Sequence, residues 1–327
     1  MLTWPHEETD WQPYLAEITE TFVLMSREIA AREHLLIVVP KAEIVPEEVR
    51  QMERVVIFEC PTDDTWARDH GPIILKNLDT PHAENLWLDF RFNGWGEKFP
   101  AENDNRIVGK LAEEIGQTPN LPPFTLENHQ DFVLEGGSIE SDGKGTVFTT
   151  SQCLLAPNRN QPLSREEIER ELKRRLRAER VVWLDHGNLV GDDTDGHIDT
   201  IVRCAPDDTL LYVGCDDPDD EQFADFQALE RQLKALRTAD GKPFRLLRLP
   251  MPRKMTDDGY RLPATYANFL VINGAVLVPV YAQPENDAEA LRIVAQAFPD
   301  REIVPIDART IVRQHGSVHC LTMQISV

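Results

Sequence analysis

Short apolar runs recur along the whole of this chain, and the gaps between them are sometimes too short for a helix and sometimes long enough for one. The runs fall at 35–39, 55–58, 71–75, 86–90, 146–149, 181–184, 210–213, 269–272 and 275–280. Brief stretches of β-branched and aromatic residues bounded by turn formers read as strands. Only Asn273-Gly274 separates the last two runs, which is a hairpin signal. Other gaps hold helical patterns. Ser164-Arg165-Glu166-Glu167 is a capping box opening a helix that reaches about Arg177. Phe223, Phe226, Leu229, Leu233 and Leu236 recur at helical spacing within 221–236. The segments 14–31, 104–115 and 288–298 complete the set, and the acids of 216–221 read as a helix start. Hairpins make antiparallel neighbours, whereas parallel neighbours need helical crossovers. The mixture predicts an α/β chain that is not a simple doubly wound sheet. No Pro/Gly/Ser-rich linker interrupts it, which predicts a single domain over 1–327.

Charge narrows the function classes. The chain has 34 Lys and Arg against 56 Asp and Glu, a net charge of −22. That disfavours nucleic acid, whose binders rely on cations against phosphates. It suits a cationic substrate, although an acidic surface also serves solubility alone. No apolar stretch is long enough to span a bilayer. Met1 to Glu8 has neither the basic nor the apolar region of a signal peptide. Five cysteines without regular spacing make no disulfide framework, so a cytoplasmic location is expected.

Polar motifs stand where apolar runs end. Gly191-Asp192-Asp193-Thr194-Asp195-Gly196-His197-Ile198-Asp199 holds four carboxylates and an imidazole between two apolar runs. If 197–199 were extended, His197 and Asp199 would project from one face. Such a pair serves proton transfer, a metal or a structural hydrogen bond. Thr65-Trp66-Ala67-Arg68-Asp69-His70-Gly71-Pro72, Phe92-Asn93-Gly94-Trp95-Gly96 and Val133-Leu134-Glu135-Gly136-Gly137-Ser138 are similar strand ends. Gln314-His315-Gly316-Ser317-Val318-His319-Cys320 is a fourth. Glycines beside charged residues allow backbone to approach a ligand, though a plain turn uses them too. Cys60, Cys153, Cys204 and Cys215 lie in or beside apolar runs and read as buried structural residues. Cys320 follows polar neighbours able to tune a thiolate and reads as a nucleophile.

Attack on a guanidinium needs a particular set of groups. The cation stays protonated, so carboxylates must hold its planar donors. A thiolate must attack its carbon, and an imidazole must protonate departing ammonia and then activate water. Asp69, Glu135, His197, Asp199 and Cys320 supply that set. His197, Asp199, His319 and Cys320 nominally suit zinc, but there is no H-E-x-x-H and no C-x-x-C. An EF-hand with Gly196 at its sixth position would begin at Gly191 and end at Val202, neither a ligand. No G-x-S-x-G elbow, Walker A loop or G-x-G-x-x-G fingerprint is present.

These five ordered motifs resemble the agmatine deiminases, within the Porphyromonas-type peptidylarginine deiminases of the guanidino-group-modifying superfamily. The similarity runs from Trp4-Pro5 to Cys320. It implies the pentein fold, an α/β five-bladed propeller of pseudo-fivefold ββαβ modules around a central channel. It also implies hydrolytic deimination of agmatine to N-carbamoylputrescine and ammonia through an amidino-cysteine, without metal or other cofactor. Cys320 would be the nucleophile and His197 the general acid and base. Asp69 and Asp199 would bind guanidinium nitrogens, and Glu135 would contact the guanidinium and orient His197. Trp66 would pack over the alkyl chain and Asp193 would meet the distal amine. The expected partner is a small cationic guanidine rather than nucleic acid or membrane, with a homo-oligomer left open. Rival readings are deimination of free or peptidyl arginine, amidino transfer, and a non-catalytic guanidine-binding pentein. The chain departs from the family at His70 (often Thr), at Asp195 (often Asn) and at 314–318, where a Gly-Gly-Gly-Asn-Ile run is typical.

Overall fold

The computed structural model describes residues 1–76, 84–116 and 124–326. By internal contacts the chain forms two compact units. The first comprises Met1–Gly136, Pro157–Asn160 and Cys320–Val327; the second comprises Gly137–Ala156 and Gln161–His319.

Three sheets of the second unit share one plan. In each, a hairpin is followed by a helix and a third strand that runs parallel to the second. The strands are Ile139–Ser141, Thr146–Thr150 and Arg180–Leu184 in one sheet, with Arg165–Leu176 as the crossover helix. In the next they are Val202–Ala205, Thr209–Gly214 and Arg245–Pro250, crossed by Phe223–Ala235. The last has Leu270–Ile272, Ala275–Val280 and Glu302–Asp307, crossed by Pro284–Ala297. A parallel neighbour cannot be reached by a tight turn, which is why each module carries a helix. The middle strands are the most buried: every residue of Thr146–Thr150 and Thr209–Gly214 is inside. The Leu-Leu-Tyr-Val run of Thr209–Gly214 is what a strand covered on both faces requires.

The first unit repeats the plan with Ile73–Leu75, Asn85–Arg91 and Phe124–Val133, the helix being Ile107–Gly116. Its other sheet joins the ends of the chain. Leu2–Thr3, Leu35–Val39 and Val55–Glu59 are parallel, with Leu15–Ala30 as the first crossover. Leu2 also bridges antiparallel to Thr322, which occupies the place of a hairpin partner. Trp87 stacks on Phe124 with ring centroids 4.5 Å apart, in a core that includes Val38, Phe58, Leu111 and Met323.

Each predicted strand run overlaps a strand, although those of 71–75 and 269–272 begin only at Ile73 and Leu270, and Asn273-Gly274 does turn the last hairpin, with Gly274 at φ 72°. The capping box forms with both of its bonds: Glu167 N–H donates to Ser164 Oγ, and Ser164 N–H donates to the Glu167 carboxylate. Two expectations are corrected. The acids of 216–221 do not open the helix, which starts at Phe223; Asp220 and Glu221 instead pair with Arg261. Residues 197–199 are not extended either. Ile198–Thr200 is a 3-10 turn and the strand begins at Val202, because Thr200 Oγ1 folds back onto the His197 carbonyl at 2.7 Å. No helix among the described residues is long and apolar enough to cross a membrane.

Candidate active site

In the first unit, the backbone of Arg68 and Asp69 is the meeting point. Asp69 lies in the short helix Ala67–His70 and is buried. The Arg68 N–H donates to the Cys320 carbonyl at 3.1 Å, which seats the cysteine segment beside Asp69. From another side comes Gly136, where a Cβ would stand 2.2 Å from the Arg68 carbonyl oxygen. Only a bare glycine allows that approach, and the residue before it is Glu135, which is fully buried. The segments carrying Asp69, Glu135 and Cys320, far apart in sequence, thus meet at the backbone of one residue, Arg68. Met323, two positions beyond Leu321, packs against both Gly71 and Gly136.

Each carboxylate has a partner that fixes it. Trp95 Nε1–H donates to Asp69 Oδ2 at 3.0 Å. The indole reaches it from an unusual turn: Trp95 lies at φ 56° and Gly96 at φ 86°, with the Asn93 side chain accepting the Gly96 N–H at 3.0 Å. Gly94 is equally constrained, since a Cβ there would meet the Phe99 carbonyl oxygen at 2.1 Å. Arg159 Nε donates to Glu135 Oε1 at 2.7 Å, and neither side chain reaches solvent. Trp66 is buried against Trp11, with ring centroids 5.7 Å apart, and Trp11 donates to Thr65 Oγ1.

His70 answers for its place in this motif. It is buried, hydrogen-bonds Thr3 Oγ1 through Nε2 at 2.9 Å, and sets its ring edge-on to Phe92. Burial lowers its pKa to about 3, so it is a neutral structural ring. Asp104 Oδ2 stands 3.8 Å from Nδ1, but burial pushes that carboxyl well above the usual range.

The second unit holds His197, Asp199 and Asp193. The loop before His197 is organised by Asp192, which accepts the Thr194 hydroxyl at 2.7 Å and the Gly196 N–H at 2.6 Å. Thr194 Oγ1 accepts the His197 N–H at 3.1 Å, and Thr150 Oγ1 donates to the Gly196 carbonyl at 2.6 Å. Asp195 takes φ 67°, a conformation that asparagine and aspartate tolerate better than most residues. His197 is fully buried, with the Cys153 thiol within 4.8 Å of a ring nitrogen. Asp193 is half-buried in the same loop.

Asp199, in the 3-10 turn that follows His197, is oriented by a more distant part of the chain. Its Oδ2 accepts from His319 Nδ1 at 2.7 Å. His319 is held in turn by Asn268, whose Oδ1 accepts the His319 N–H at 2.9 Å, while Asn268 Nδ2 donates to the Asp199 carbonyl at 3.3 Å. His319 directly precedes Cys320. Sequence reading gave no such role to Trp95, Arg159, Asn268 or His319. The Asn-Gly-Trp-Gly turn was the visible signal for the first and the motif ending in Cys320 for His319; nothing local marks Arg159 or Asn268.

The cysteines differ in environment. Burial raises the pKa of the Cys60, Cys204 and Cys215 thiols, which resists ionisation. None of the five cysteines is in a disulfide, and Cys204 is half-buried rather than buried.

Comparison with known proteins agrees with this arrangement of motifs. Agmatine deiminase of Pseudomonas putida is 33% identical over 348 residues, which cover 99% of this chain and 91% of that protein. A Porphyromonas gingivalis structure, provisionally named an arginine deiminase, is 48% identical with a TM-score of 0.89, covering 99% of this chain and 94% of that one. A cysteine-to-serine variant of C. jejuni agmatine deiminase with substrate bound is 37% identical with a TM-score of 0.88, covering 98% and 90%. The mixed α/β fold described above is the fold of these proteins. The model of the Porphyromonas-type peptidyl-arginine deiminase family matches residues 1–326, and the chain belongs to that family.

Proposed function

We propose that this protein hydrolyses the guanidinium group of agmatine to N-carbamoylputrescine and ammonia, with Cys320 as nucleophile and no cofactor. The observation that carries this reading is that the segments bearing Cys320, Asp69 and Glu135 meet at the backbone of Arg68. Two buried carboxylates favour a planar cation, whose N–H donors can satisfy both acids while its carbon is attacked by a thiolate. The P. putida name and the substrate-bound C. jejuni structure support agmatine as that cation.

The reaction divides into two halves. Cys320 Sγ attacks the guanidinium carbon, and the resulting tetrahedral adduct expels one nitrogen as ammonia as His197 delivers a proton to it. The product of this half is an S-amidino-cysteine. His197 then takes a proton from water, the hydroxide adds to the same carbon, and the C–S bond breaks to return the thiolate and release the ureido product. Asp69 and Asp199 hold the guanidinium nitrogens and Glu135 contacts the cation and orients His197. Trp66 packs over the alkyl chain, and Asp193 meets the distal amine. We further read the five three-stranded sheets as blades of one pentein propeller, with 1–327 a single catalytic domain working in the cytoplasm.

The test is product identification with agmatine for the parent and for Cys320→Ser. Ammonia and ureido product from the parent, and none from the variant, are expected; unchanged turnover in the variant sinks the nucleophile assignment. Free arginine is the second reading, favoured by the provisional name of the P. gingivalis protein. Running agmatine, arginine and a blocked arginyl peptide side by side separates the substrates.

A further inference from the structure

The mechanism above leaves a fully buried cation unused. Arg159 is bonded to Glu135 with neither side chain exposed. Taking two charges out of water costs energy that their attraction does not reliably return, so a stability role explains such a pair poorly. The surrounding chain is arranged to deliver it. Asn158, at φ 60°, donates Nδ2 to the Gly96 carbonyl at 3.2 Å, and its own carbonyl accepts from Asn93 Nδ2 at 2.8 Å. Asn160 behaves like a strand partner of Val133, accepting its N–H at 2.9 Å and donating to its carbonyl at 2.8 Å. Pro157–Asn160 therefore takes its contacts from the first unit, although the chain on both sides belongs to the second.

Gly96 gives the guanidinium its room. A Cβ there would stand 2.6 Å from Arg159 Nη1. The same turn carries Trp95, which holds Asp69. One guanidinium thus pairs with Glu135 and packs against the turn that supports Asp69, two of the carboxylates assigned to the substrate.

We propose that Arg159 is a positioning residue for the deimination described above, holding Glu135 ionised and in one orientation toward the substrate cation without touching the reacting atoms. Arginine stays charged at every working pH, so Glu135 always has a counter-charge. A buried carboxyl deprived of its cation takes up a proton instead. Neutral Glu135 would no longer attract a guanidinium.

The inference rests on the proposed reaction, and its test keeps the two apart. A parent protein that releases no ammonia from agmatine defeats the reaction; an active parent allows Arg159 to be judged by its variants. Arg159→Met should lower kcat/KM at neutral pH by about tenfold or more. Because its activity then follows deprotonation of Glu135, the deficit should shrink by about tenfold for each pH unit of alkalinity. Arg159→Lys keeps a cation but loses the planar fork, and its profile should shift the same way by less. Adding Arg159→Met to Glu135→Gln should cost no further activity. A variant profile parallel to the parent's at all pH values, or losses that add in the double variant, overturns the proposal. If Arg159→Met does not fold, the Arg159→Lys profile decides by the same criterion.

Discussion

His319 Nδ1 lies 2.7 Å from Asp199 Oδ2, and both side chains are buried. A carboxylate only accepts, so Nδ1 carries the proton of this bond. The residue that precedes the proposed nucleophile is therefore the one that orients a proposed substrate carboxylate. Losing a hydrogen bond to a charged group costs about 1.5–3 kcal/mol. His319→Ala is expected to lower kcat/KM for agmatine roughly 10- to 150-fold, each factor of ten being about 1.4 kcal/mol. His319→Asn, which restores a donor near Nδ1, should recover part of the loss. Steady-state kinetics with full-range substrate titration checks both.

Trp95 makes the equivalent bond to Asp69. Trp95→Phe keeps most of the apolar ring and removes only the donor. Its expected signature is a KM for agmatine raised by about tenfold or more, from the same loss of a charge-assisted bond. An unchanged KM would show that Asp69 needs no help from the indole.

Gly96→Ala introduces a left-handed strain at φ 86° and a Cβ in the space of Arg159 Nη1. The backbone term alone is about 1–2 kcal/mol. The urea midpoint should fall with an unchanged slope, and activity should fall with it because Arg159 is displaced. A variant of parental stability would mean that the turn relaxes freely.

The sign of the pH dependence at His70 follows from burial. Folded His70 refuses a proton until about pH 3, whereas the unfolded ring accepts one near 6.5. Its contribution is complete above about pH 6.5 and is lost as pH falls toward 3. Neighbouring Asp104 acts in the opposite sense, since its raised pKa makes the folded state hold a proton that the unfolded state releases. His70→Asn should therefore flatten the fall in stability between about pH 6.5 and 4. Denaturant unfolding at those two pH values measures it; parallel losses in parent and variant would contradict the assignment.

The strands hidden from the sequence are mostly the outer ones. Phe124–Val133 and Arg245–Pro250 carry Glu, Asn, Gln and Arg among their apolar residues, because each pairs along one edge only within its sheet. Edge positions tolerate polar side chains and proline, and Pro250 is an example. The central runs were legible because both of their faces are covered. The site shows the same division. Asp69, Glu135 and Cys320 could be singled out as acids and a thiol at strand ends, yet the meeting of their segments at the Arg68 backbone joins residues more than two hundred positions apart.

Residue chemistry and spacing by themselves determined the central strands and the longer helices, the helix cap at Ser164 and the supply of groups fit for a guanidinium. Those are local properties, read from side-chain type and from periods of two and 3.6 residues. Only the tertiary structure decided who partners whom: Asp199 with His319, Asp69 with Trp95, Glu135 with Arg159. Buried charges must find partners wherever the packed chain brings them, and sequence distance does not enter that requirement.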